Sequence, residues 1–126
     1  ERTDGTSDNL VLNYTLTSNG SALLEESDTG GVEMLTIFNY QNEELLLTHY
    51  CALQNKPVSV LKSNTNGEYV FVTDSERSGL SKDKEAFVTS WKINLMPEDS
   101  NKIQYQYTVT GPEGVVFVAK AVLTKA

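Results

Sequence analysis

Apolar and polar residues alternate with a period of two along most of this chain, and no stretch sustains the stripe of an amphipathic helix. Leu10, Leu12, Tyr14 and Leu16 alternate with polar Asn13, Thr15 and Thr17. Successive side chains of a strand point to opposite faces, so this pattern describes a strand with one face buried. Similar runs cover residues 22–27, 32–40, 43–51, 58–62, 68–74, 87–95, 103–110 and 115–123. The breaks between them are mostly short: Asn19-Gly20, Gly30-Gly31, Gln41-Asn42, Lys56-Pro57, Asn66-Gly67, Pro97-Glu98-Asp99 and residues 111–114. Asn-Gly is a strong hairpin signal, because both central residues of such a turn need positive φ. About nine strands joined this way make neighbours in sequence neighbours in space. The expected fold is all-β: an antiparallel up-and-down meander that closes into a barrel and so removes its edges. A two-sheet sandwich would need longer crossings than these turns allow.

With 126 residues, 39% apolar and 21% charged, the chain has the size and core of one domain. Its net charge of -7 repels phosphate backbones and anionic headgroups, which argues against nucleic acid and against a polybasic membrane mode. A single Cys excludes an internal disulfide framework and any multi-cysteine zinc site. No apolar run reaches the ~20 residues of a membrane span. Residues 1–9 are polar and read as a loose arm. The chain starts with Glu1, as a trimmed or matured protein would, and a removed leader would make it periplasmic or secreted. The acceptor patterns Asn13-Tyr14-Thr15 and Asn19-Gly20-Ser21 arise readily by chance in such a composition. Nothing in the residues indicates an oligomeric state.

Hairpin pairing fixes which residues share a face. A turn at Asn19-Gly20 sets Leu16 opposite Leu23, Tyr14 opposite Glu25 and Leu12 opposite Ser27. A turn at Gln41-Asn42 sets Phe38 opposite Leu45, Thr36 opposite Leu47, Met34 opposite His49 and Val32 opposite Cys51. Trp91, Ile93 and Leu95 share one parity. Ile103, Tyr105, Tyr107 and Val109 share another, matched across a five-residue loop by Val115, Phe117, Ala119 and Ala121. The inward set is therefore aliphatic, with a minority of polar-tipped groups: Tyr14, Glu25, His49, Cys51, Trp91, Tyr105 and Tyr107. A carboxylate on that face needs a partner, and Tyr14 is the nearest donor to Glu25.

An apolar interior with a few convergent polar groups suits a small molecule, although small barrels are also filled solid by such side chains. His49, the only histidine, reads as a polar anchor or general base, with Glu25 as a candidate partner, or as a buried core histidine. Cys51 lies about 6.6 Å farther along the same strand, too far for a direct Cys–His pair. One His and one Cys make no convincing zinc or haem site. No phosphate loop, Gly-x-Ser-x-Gly elbow or His-Glu-x-x-His occurs, so no cofactor is expected. The polar stretch 75–85 is the longest loop and could cover a barrel mouth.

Residues 33–57 (EMLTIFNYQNEELLLTHYCALQNKP) resemble a group of bacterial lipocalin-like proteins of unassigned function. The likeness rests on Leu47-Thr48-His49-Tyr50-Cys51 followed by Asn55 and Pro57, and on Gly20-Ser21-Ala22-Leu23 before Glu25. Beyond the first half it extends only to strand rhythm. Gln54 and Val58 stand where the group has Gly and Arg, and Ala86-Phe87-Val88 stands where many members have a His-x-His pair. The resemblance implies a calycin-type, lipocalin-like barrel that binds a small apolar or amphipathic ligand. On this reading the ligand is oriented by His49, Glu25, Tyr14, Trp91, Tyr105 and Tyr107. An enzyme using the same cavity, with His49 as acid/base and Glu25 or Tyr14 assisting, is the alternative. A solid barrel that binds another protein through its loops is the third.

Overall fold

Short turns send most strands straight back beside their predecessors. The computed structural model describes residues 1–96 and 101–125; the expected connection Pro97-Glu98-Asp99 lies outside them. Its strands are β1 (Leu10–Thr17), β2 (Ala22–Thr29), β3 (Val32–Gln41), β4 (Glu44–Tyr50), β5 (Val58–Thr65), β6 (Glu68–Thr73), β7 (Phe87–Asn94), β8 (Lys102–Gly111) and β9 (Gly114–Thr124). They form one antiparallel sheet in chain order, the meander that the turn spacing predicts. No helix among the described residues is long and apolar enough to cross a membrane.

The sheet curls strongly but stays an open half-barrel, because β1 and β9 do not pair. The expected closure is thus incomplete, and the reason lies in the first residues. Lys120 N–H donates to the Glu1 carbonyl at 2.7 Å and Thr3 N–H to the Val118 carbonyl at 2.9 Å, on either side of an Arg2–Ala119 bridge. The Thr3 hydroxyl returns a bond, accepting from Val118 N–H at 2.9 Å. A segment expected as a loose arm therefore covers the edge of β9 that β1 would need. Curvature comes from twist, sharpened by irregularities at Lys62, Thr89 and Val116, where the register slips by one residue.

Turn chemistry sets most of the register. Asn19 and Gly20 sit at φ 58° and 86°, and Asn66 and Gly67 at 53° and 81°, as the hairpin signals require. The first hairpin pairs Leu16–Leu23, Tyr14–Glu25 and Leu12–Ser27, as expected. The last hairpin is shifted: a five-residue loop would set Val109 opposite Val115 and Tyr107 opposite Phe117. Instead, a tight turn at Pro112-Glu113 plus the bulge at Val116 pairs Val109 with Phe117, Tyr107 with Ala119 and Tyr105 with Ala121. Val115, expected on the inner face, is left opposite Thr110 and 62% exposed. The β3–β4 hairpin differs too. Its turn is Asn42-Glu43, at φ 53° and 63°, and Gln41 pairs with Glu44. Phe38 therefore faces Leu47 and Thr36 faces His49, two residues away from the pairing that a Gln41-Asn42 turn would give. A shift of two keeps every side chain on its face.

The core cluster on the concave face centres on Leu47, Phe71, Val88, Trp91, Ile93, Tyr105 and Val109. The bulge at Thr89 is what lets Val88 face inward together with Trp91. Leu95, expected on the same face, lies beyond the end of β7 and is 47% exposed.

Residues 75–85 hold one helical turn, α1 (Ser75–Ser78), capped by the Asp74 carboxylate accepting from Arg77 N–H at 3.0 Å. The Ser78 hydroxyl accepts from Val58 N–H at 2.7 Å, and Arg77 pairs with Glu44 at 3.0 Å. These bonds hold the loop against β4 and β5.

Candidate ligand site

Three consecutive registers build a polar row across the inner face. Tyr14 on β1 stands opposite Glu25 on β2, Glu25 opposite Thr36 on β3, and Thr36 opposite His49 on β4. Side chains directly opposite on neighbouring strands lie within reach of one another, so the row becomes a chain of contacts. The Tyr14 hydroxyl donates to Glu25 Oε2 at 2.7 Å, and Thr36 Oγ1 and His49 Nδ1 share a hydrogen bond of 2.8 Å. The opposite wall meets the row. Tyr105 on β8 donates its hydroxyl to Glu25 Oε1 at 3.0 Å, and the Trp91 ring on β7 stands edge-on to the His49 ring at 4.9 Å between centroids. Glu25 and Thr36 are each 1% exposed and His49 is 4% exposed.

Burial dominates the electrostatics of this row. It holds the His49 imidazolium pKa down to about 4, so the ring is neutral at physiological pH. Burial also raises the Glu25 carboxyl, opposed by the hydroxyls of Tyr14, Tyr105 and Thr36. Both tyrosines are pushed up, first by burial and then by the Glu25 charge, and stay protonated donors. If the Thr36 hydrogen turns toward Glu25, Nδ1–H of His49 donates to Thr36 and Nε2 presents a lone pair. The Trp91 indole N–H, also buried, has no hydrogen-bond partner among the described residues.

The row floors a cavity of about 220 Å³ at the end of the half-barrel that carries the Gly30-Gly31 turn. Glu25, His49, Trp91 and Tyr105 touch the cavity at its floor, and Leu10, Leu12, Val109 and Phe117 are among its apolar walls. Tyr107 and Cys51 also line it. Burial raises the Cys51 thiol, which leaves it protonated and a poor nucleophile. At the mouth, Arg2 pairs with Asp8 at 2.6 Å, and its guanidinium lies 5.7 Å from the Phe117 ring centroid.

Five of the six residues expected in a site, namely Glu25, His49, Trp91, Tyr105 and Tyr107, surround this cavity. Tyr14 does not reach it. Its hydroxyl touches Glu25 from behind, and its ring lines an apolar groove of about 520 Å³ at the other end of the sheet, with Leu16, Phe38, Tyr40 and Leu45. His49 and Glu25 are joined through Thr36 rather than directly. Thr36, Arg2 and Asp8 carry no chemical signal in the sequence. Thr36 was nonetheless reachable: Gly30-Gly31 as a two-residue turn places it opposite Glu25. The 75–85 loop contributes nothing to the cavity lining, so it is no flap over this mouth.

The Leu-Thr-His-Tyr-Cys stretch is anchored at its end. His49 N–H donates to the Pro57 carbonyl and Cys51 N–H to the Asn55 carbonyl, both at 3.0 Å. Asn55 Nδ2 reaches across to the Ala86 carbonyl at 3.0 Å. These bonds fix the strand end that aims His49 inward. Among the described residues, no group of three His, Cys, Asp or Glu side chains could hold a metal ion.

With the geometry in hand, what the fold and site define is an open β-meander with a small, polar-floored cavity. The chain matches no protein-family model, no curated protein and no solved structure.

Proposed function

We propose that this protein binds a small apolar or amphipathic molecule inside its half-barrel. The observation that carries the reading is the cavity of about 220 Å³, with a mostly apolar lining and a few polar groups, Glu25 and His49 at its floor among them. Dry apolar cavities of ~150 Å³ accept a benzene-sized molecule, and drug-sized ligands need roughly 300 Å³ or more. The ligand is therefore a single ring or a short chain. Its polar end would meet the floor, where Glu25 and His49, its Nδ1 already committed to Thr36, both line the cavity. The lipocalin-like resemblance of residues 33–57 agrees with this role.

The Glu25–Thr36–His49 contacts also favour a second reading, in which His49 moves a proton during a reaction in the cavity. A pKa of about 4 makes His49 a weak base at neutral pH, far from the value at which general bases work best. Binding is the better reading.

Mass spectrometry of small molecules released from gently purified protein tests it. The expected result is a single-ring or short-chain compound that raises the melting temperature of the wild type and raises that of His49→Gln less. Equal rises would remove His49 from the site. A compound that raises neither would refute the binding reading.

A further inference from the structure

Resting on that binding reading, we infer that the cavity takes an organic cation: a small amine whose ammonium group sits against Glu25 and the aromatic faces of Trp91 and Tyr107. Three independent features point to it. First, Glu25 is a carboxylate buried at the floor whose partners are the Tyr14, Tyr105 and Thr36 hydroxyls, with no ion pair to a cation among the described residues. A buried charge without a counter-charge is costly, and a ligand that supplies one recovers that cost on binding.

Second, the wall beside Glu25 is aromatic. The Trp91 and Tyr105 ring centroids lie 5.9 Å apart, Trp91 and Tyr107 5.3 Å, and Tyr107 and Phe117 6.2 Å, a continuous surface from floor to mouth. Ring faces attract cations and offer nothing to anions. That wall already carries one cation, because the Arg2 guanidinium lies over Phe117. Third, the mouth does not oppose entry. Arg2 is neutralised by Asp8 at 2.6 Å, and the chain as a whole carries a charge of -7. The ligand's apolar body would lie along Leu10, Leu12 and Val109.

Cyclohexylamine, cyclohexanol and cyclohexanecarboxylic acid share one ring of suitable size and differ in charge at neutral pH. Trp91, the only tryptophan, reports their binding by its fluorescence. The amine should bind about tenfold or more tighter than the alcohol, and the acid least tightly. In Glu25→Gln the amine's advantage over the alcohol should fall to within about twofold, whatever the change in the alcohol's own affinity. An alcohol that matches or beats the amine in the wild type overturns the cation inference while leaving the binding reading intact. Silence from all three compounds overturns the binding reading itself.

Should Glu25→Gln fail to fold, the wild type supplies the second arm through pH. The groups facing Glu25 are the Tyr14 and Tyr105 phenols, which stay protonated, and His49 through Thr36, which charges only near pH 4. Lowering the pH until Glu25 takes up its proton should therefore shrink the amine's advantage over the alcohol. An advantage that does not change with pH overturns the inference.

Discussion

His49 shows how far one side chain's surroundings govern its behaviour. The imidazole is 4% exposed, its Nδ1 is taken by Thr36, and burial lowers its pKa from 6.5 to about 4. The unfolded chain binds a proton at His49 once the pH falls below about 6.5, and the folded chain does so only near 4. Stability contributed by the neutral ring is therefore full above about 6.5 and is lost as the pH falls from there to about 4, on the order of 3 kcal/mol. Glu25 works in the opposite direction, because its folded pKa is raised and the folded chain holds the proton more tightly. In His49→Gln the amide keeps a bond to Thr36 but cannot titrate. Urea unfolding at several pH values should show a smaller acid-side loss for the variant than for the wild type. Identical pH profiles would mean that His49 titrates normally in the folded protein. At this scale the sequence was informative where chemistry and register coincide: an inward Glu25 needs a donor, and Tyr14 is opposite it. The Gly30-Gly31 turn could place Thr36 opposite Glu25, but its bond to His49 depends on the Asn42-Glu43 register, which the pattern does not choose.

Strands and most turns could be read directly, because alternation and Asn-Gly pairs are local signals. The β3–β4 turn shows the limit of that reading. Gln41-Asn42 and Asn42-Glu43 both leave the apolar face intact, so the hydrophobic pattern cannot choose between them. The protein adopts the turn that adds a Gln41–Glu44 pair and accepts Glu43 at φ 63°. A left-handed residue other than glycine costs roughly 1–2 kcal/mol. Glu43→Gly, which creates Asn-Gly at this turn, should raise stability by about 1 kcal/mol, visible as a melting temperature several degrees higher. A lower melting temperature would argue against the Asn42-Glu43 turn. The Thr89 bulge was likewise invisible, since one extra residue changes the parity of Val88 without changing composition. Residues 1–9 misled for a similar reason: a polar segment can still pair through its backbone, as residues 1–3 do with β9.

At the scale of the whole molecule, the half-barrel buries Glu25 and His49 at its floor although no backbone pairing joins its two end strands. β1 and β9 stay unpaired, and side chains bring the two walls together instead. Tyr105 reaches from β8 to Glu25 on β2, and Trp91 on β7 packs edge-on against His49 on β4. That meeting separates the small cavity from the groove behind Tyr14. The meander was legible because short turns dictate it, whereas incomplete closure depends on which segment takes the edge of β9, a competition that local pattern does not report. A cavity of about 220 Å³ over a buried polar floor is the feature on which the proposed binding rests. His49 is the only histidine, so the nitrogen resonances of its ring can be followed by NMR through a pH titration without assignment ambiguity. The ring should remain neutral through the mildly acid range and titrate near pH 4. Titration near the ordinary value of about 6.5 would mean that water reaches the floor and that the walls do not meet as described.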